Sequence, residues 1–117
     1  MNNLVIKIGC GRTELNYQIL FFGNDLHIHI DGGSSHLGSI SAAQNGKVNT
    51  ITFPEHKEHL LTDPLAKKLS MRFSGNVMVS AGVHLDNITK QEINEILENN
   101  ERAFIEIIHV LQERVVL

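Results

Sequence analysis

Residues 26–31 read Leu26-His27-Ile28-His29-Ile30-Asp31, a strict alternation of apolar and polar side chains. A period of two sends successive side chains to opposite faces, so this segment specifies a strand with one buried and one polar face. Similar runs precede it. Leu4, Ile6 and Ile8 alternate with Val5 and Lys7, and Leu15, Tyr17, Ile19 and Phe21 alternate with Asn16, Gln18 and Leu20. Gly9-Cys10-Gly11-Arg12 and Gly23-Asn24-Asp25 lie between the runs and have the composition of hairpin turns. Further strands are expected over Leu37 to Ala43 and, beyond an Asn45-Gly46 turn, over Val48, Thr50 and Thr52. Connections this short cannot make parallel crossovers, so the first half predicts an antiparallel meander.

The second half changes period. Thr62 or Asp63 is placed to cap a helix whose first residue is Pro64, where a missing N–H costs nothing. Leu65, Leu69 and Phe73, with Ala66 beside them, form its apolar stripe, and Gly75 has the chemistry of a left-handed stop. Asn76 to Val83 is a candidate buried strand. Thr89 and Glu92 have the spacing of a capping box for a helix carrying Ile93, Ile96 and Leu97. Asn99-Asn100 is expected to break it, leaving a last helix with the stripe Phe104, Ile107, Ile108 and Leu111. The fold class is therefore α+β: an antiparallel β-sheet with C-terminal helices packed on one face, and His27, His29 and Asp31 in a row on the other. No repeat or linker divides residues 1–117, so one domain is expected.

The composition narrows function by exclusion. A chain of 117 residues, 42% hydrophobic and 20% charged, can bury a core without staples. Net charge is -3 and the 10 Lys and Arg are scattered, so no nucleic-acid-binding face is expected. The one cysteine, Cys10, excludes an intramolecular disulfide and a cysteine-built zinc site, and its apolar neighbours predict that it packs as a small hydrophobe. No window approaches the roughly 18 apolar residues of a membrane span. A soluble, cytoplasmic domain is expected.

The chemistry concentrates in three short words, each holding a histidine. Gly32-Gly33-Ser34-Ser35-His36-Leu37-Gly38 follows a strand; its glycines allow close approach, and its amides and hydroxyls could cradle a phosphate with His36 at the rim. Phe53-Pro54-Glu55-His56-Lys57-Glu58-His59 offers His56 as a ligand or acid–base group, with His59 a weaker candidate. Gly82-Val83-His84-Leu85-Asp86-Asn87 lies where a strand exits toward a capped helix, with Asp86 able to orient His84. Each word also fits a plain polar loop. The His27-Ile28-His29 pair puts both imidazoles on one face roughly 7 Å apart, a metal-site spacing, but a solvent or dimer face gives the same string. His109 fits a packing or surface position. Ser34 and Ser35 are not in a nucleophile elbow, so serine hydrolase chemistry has no support.

Taken in order, Ile30-Asp31-Gly32-Gly33-Ser34-Ser35-His36-Leu37-Gly38, Phe53-Pro54-Glu55-His56, Leu65-Ala66-Lys67-Lys68-Leu69 and Ser80-Ala81-Gly82-Val83-His84-Leu85-Asp86-Asn87-Ile88-Thr89-Lys90 resemble the LpdD-like prenylated-flavin chaperone family. The resemblance implies a proteasome-assembly-chaperone-like fold, commonly dimeric. It also implies a non-enzymatic role in the UbiX–UbiD system: binding prenylated FMN (or FMN) with a divalent transition metal, for delivery to a UbiD-type decarboxylase after a UbiX-type prenyltransferase makes it. Carried over by position, His36, His56 and His84 become candidate metal ligands. Gly32, Gly33, Ser34, Ser35 and His36, with Asp86 and Asn87, become candidate cofactor-binding residues. His27, His29 and His59 are not carried over. Two other functions remain open: a small metalloenzyme on a phosphorylated substrate, with Glu55 or Asp86 as base, and a plain assembly module.

Overall fold

A computed structural model describes residues 3–116, with side chains through residue 113. Strands β1 (Asn3–Ile8), β2 (Leu15–Phe22), β3 (Asp25–Gly33), β4 (Ser39–Gln44) and β5 (Lys47–Thr52) come first. Helix α1 (His59–Arg72), strand β6 (Val77–His84) and helix α2 (Lys90–Val116) follow. The strands form one sheet in the order β1-β2-β3-β6-β4-β5.

The expected meander holds for β1, β2 and β3, which pair antiparallel in sequence. It fails at β4, which pairs with β6 instead of continuing beside β3. β6 enters between them, parallel to β3 and antiparallel to β4. The β4–β5 hairpin and α1 together supply the long connection that a parallel pair requires. β6 fits a central position because Val77, Val79, Ser80 and Ala81 are all buried. The hairpin turn is Asn45-Gly46, both residues at positive φ, as a tight turn between twisted strands demands.

Three helix expectations are corrected. First, α1 starts at His59, so Pro64 lies inside it and Thr62 and Asp63 do not cap it. They face the sheet: Ser41 Oγ lies 2.6 Å from Thr62 Oγ1 and 2.5 Å from Asp63 Oδ1, and Thr50 also donates to that carboxylate. Second, the helix ends on an extended Phe73 rather than on a left-handed Gly75. Gly75 is needed for contact, since a Cβ there would lie 1.7 Å from the Asn24 carbonyl oxygen. Third, Asn99 and Asn100 do not break α2, which runs unbroken for 27 residues. Both amides are buried and bonded: Tyr17 Oη donates to Asn100 Oδ1 at 2.7 Å, Asn100 Nδ2 donates to the Leu61 carbonyl at 3.0 Å, and Asn99 Nδ2 donates to the Thr13 carbonyl at 3.1 Å. The capping box forms as its spacing predicts, with Thr89 N–H on Glu92 Oε1 and Glu92 N–H on Thr89 Oγ1.

The core fills the space between the helices and one sheet face, around Tyr17, Ile19, Ile28, Ile30, Leu65, Leu69, Val79 and Ile107. Burial pushes the Tyr17 phenol well above its usual range, so it acts as a donor. Cys10 is corrected too: it is exposed, carried outward by the turn between β1 and β2. Among the described residues no helix is long and apolar enough to cross a membrane.

Candidate functional site

The three histidine words meet at one end of the sheet. Gly33 at the end of β3 pairs with His84 at the end of β6. The loop after β3 then folds back over β6: Ser34 N–H donates to the His84 carbonyl at 3.1 Å and Gly38 N–H to the Ala81 carbonyl at 2.8 Å. The backbone of His36 presses so closely on β6 that a Cβ at Gly82 would lie 1.7 Å from the His36 carbonyl oxygen. Glycine at position 82 is therefore what lets the first word lie on the third.

Glu58, at the N-terminal end of α1, draws in the second word. Its carboxylate is 7% exposed and accepts from Lys57 N–H at 3.0 Å and Val83 N–H at 3.2 Å. His36 Nδ1 lies 3.1 Å from the Ser34 carbonyl oxygen, which can only accept, so that nitrogen carries a hydrogen. Nε2 of the same ring faces Glu58 Oε2 in very close contact. His56 Nδ1 is 3.6 Å from Glu58 Oε1, and the His36 and His56 rings lie 4.8 Å apart between centroids. The His84 ring meets His36 edge-on at 6.3 Å, and its Nε2 is 3.1 Å from Asp86 Oδ1.

One ligand atom from each of His36, His56 and Glu58 falls within 4.8 Å of the others. Two imidazole nitrogens and a carboxylate oxygen suit a borderline divalent transition metal better than calcium. This donor set differs from the expected one: Glu58 completes the cluster, while His84 stands beside it. Glu58 went unrecognised in the sequence because its charge-rich surroundings resemble a solvated loop. The His56-x-Glu58 spacing, just before a helix, was the available signal.

A model of the prenylated flavin chaperone LpdD-like domain matches residues 9–112. The chain belongs to the LpdD-like prenylated flavin chaperone family. Protein LpdD of Lactiplantibacillus plantarum is 31% identical over 78 residues, covering 61% of this chain and 57% of LpdD. The match thus spans less than two thirds of that relative. A chain in the crystal structure of a chaperone complex for yeast 20S proteasome assembly superposes with a TM-score of 0.63 at 13% identity, covering 96% of this chain and 95% of that one. That likeness shows the fold alone.

In this member of the LpdD-like family the remaining candidates lie at the end of β3 and in the turn after β6. Gly32 is buried beneath Leu15 and Val83, whereas Gly33, Ser34 and Ser35 are exposed. The Ser34 amide is committed to the His84 carbonyl, and the Ser34 and Ser35 side chains lie on an exposed loop. Asp86 and Asn87 form an exposed turn, with Asn87 at φ 54 and the Asp86 carbonyl accepting from Arg12 at 2.8 Å. An apolar groove of about 270 Å³ opens against His56, Glu58 and His84. The other histidines lie outside the cluster. His27 Nε2 and His29 Nδ1 converge on the buried Ser80 hydroxyl at 3.0 and 2.7 Å, and His29 Nε2 bonds Asp31 at 3.0 Å. His59 opens α1 with Nδ1 enclosed and unpaired, and His109 is exposed on α2.

Proposed function

We propose that this protein is a non-catalytic carrier for prenylated FMN, or for FMN itself, aided by a divalent transition metal. His36, His56 and Glu58 would hold the metal, with His84 positioned beside it by Asp86. The observation that carries the reading is the convergence of one ligand atom each from His36, His56 and Glu58 within 4.8 Å of one another. A metal there would supply local positive charge able to join the imidazoles to an anionic ligand group. Gly33, Ser34 and Ser35 on one side and Asp86 and Asn87 on the other would line the ligand. The family supports a chaperone role, and a reduced flavin gains from shielding against oxidation. In this account a UbiX-type prenyltransferase supplies the cofactor and a UbiD-type decarboxylase receives it, in the cytoplasm. A second copy would cover the open sheet face, where Val5, Phe22, Met78 and Ile51 are exposed from one edge to the other among polar residues such as Gln18 and His29.

The hydrolytic alternative needs a base beside the metal ligands. Asp86 is engaged with His84 in an exposed turn, and Glu55 sits in an exposed turn at φ 67, so the carrier reading is preferred. Elemental analysis of the purified protein tests the metal site. Stoichiometric transition metal in the parent, lost in His36→Ala, His56→Ala and Glu58→Gln, is the expected result. Equal metal content in all four proteins would refute the assignment.

A further inference from the structure

The His/Glu cluster is built to hold charge, but prenylated and unprenylated FMN carry the same phosphate. Discrimination between them has to come from contact with the carbons that only one possesses. The groove beside the cluster has the right chemistry for that. Leu61, Val83 and Ile96 line its interior, and Leu60, Ile88 and Ile93 stand at its rim, 48%, 39% and 39% exposed. Small-molecule sites usually enclose about 300–1,000 Å³. At about 270 Å³ this groove is sized for part of a flavin nucleotide and too small for all of it. Because His56, Glu58 and His84 form one of its walls, a group seated in the groove remains within reach of whatever the cluster holds.

We propose that this groove is the specificity subsite for the prenyl-derived carbons of the flavin, with Leu60, Ile88 and Ile93 setting the preference for prenylated over unprenylated FMN. The inference rests on the carrier reading above. Each methylene moved from water onto such a surface tightens binding about fourfold, so burying part of an isoprenoid unit gives a preference of about tenfold or more.

Anaerobic equilibrium dialysis with prenylated FMN and with FMN, in the presence of Mn²⁺, tests it on the parent, the double variant Leu60→Gln/Ile93→Gln, and His56→Ala. The double variant changes partly exposed side chains, and a thermal melt verifies that it folds. The parent should prefer prenylated FMN. The double variant should lose most of that preference while binding FMN and metal as the parent does. His56→Ala should weaken both flavins by a similar factor and keep the preference. A double variant with the parent's preference, or a parent that binds both flavins equally, overturns the subsite and leaves the carrier reading standing. A parent that binds neither flavin overturns both.

Discussion

A methyl group on Gly38 would sit 2.2 Å from Glu58 Oε2, and one on Gly82 would strike the His36 carbonyl. Gly38→Ala must therefore displace the buried carboxylate. Its expected effect is loss of metal retention with a stability loss of about 1–3 kcal/mol, measured by elemental analysis and urea unfolding. These contacts explain why the three histidine words were legible in the sequence: glycine beside histidine marks places where one segment lies on another. Glu58 was not legible, because a buried carboxylate is recognised by the amides it accepts from, and Val83 N–H is remote in sequence. His27 makes a second prediction. Burial holds its imidazole below the usual range, and neighbouring His29 adds to the effect. The folded state thus disfavours protonation that the unfolded state accepts. The resulting stability is fully present above roughly pH 6.5 and is lost as pH falls from there through the folded-state value. Between neutral pH and pH 5, His27→Gln should show a shallower fall in urea midpoint than the parent; an identical slope would contradict this.

At the scale of elements, alternation and capping chemistry located the strands and the start of α2, because those signals are local. The ends of α1 and the continuity of α2 were not local. Asn99-Asn100 resembles a breaker until Tyr17, Thr13 and Leu61 are seen to satisfy both amides. Asn100→Ala would leave the Tyr17 hydroxyl without its acceptor in the core and open a cavity beside it. A loss of about 2–4 kcal/mol is expected in denaturant unfolding, against about 1 kcal/mol for Thr89→Ala at the exposed cap. Glu92 links that cap to the turn after β1. The Arg12 hydrogen bond, helped by the Thr89 amide, holds its carboxyl down at about 2. This contribution is present above the ordinary carboxylate range and fades as pH falls toward 2. Arg12→Ala should therefore reduce the acid dependence of stability.

For the whole molecule, the sequence pointed to a sheet with helices on one face, while the strand order depended on a long-range event. β6 inserts between β3 and β4 because its apolar run needs neighbours on both sides, and nothing within the β3–β4 connection records that. The insertion builds the site, since it brings the ends of β3 and β6 together beside the N-terminus of α1. It also leaves without a helix over it the wide face on which Val5, Phe22, Met78 and Ile51 are exposed among His27, His29 and Gln18. The parent should elute as a dimer in light-scattering chromatography, and Phe22→Lys should shift it toward monomer; a monomeric parent would contradict the second-copy assignment.

The central claim is that imidazoles and a carboxylate from separate segments hold one anionic flavin through a metal. Its most direct test is anaerobic gel filtration of the protein mixed with prenylated FMN, with and without Mn²⁺. Co-elution of flavin absorbance with the protein, dependent on the metal and abolished in Glu58→Gln, is the predicted result. Flavin eluting apart from metal-loaded parent protein would contradict the account.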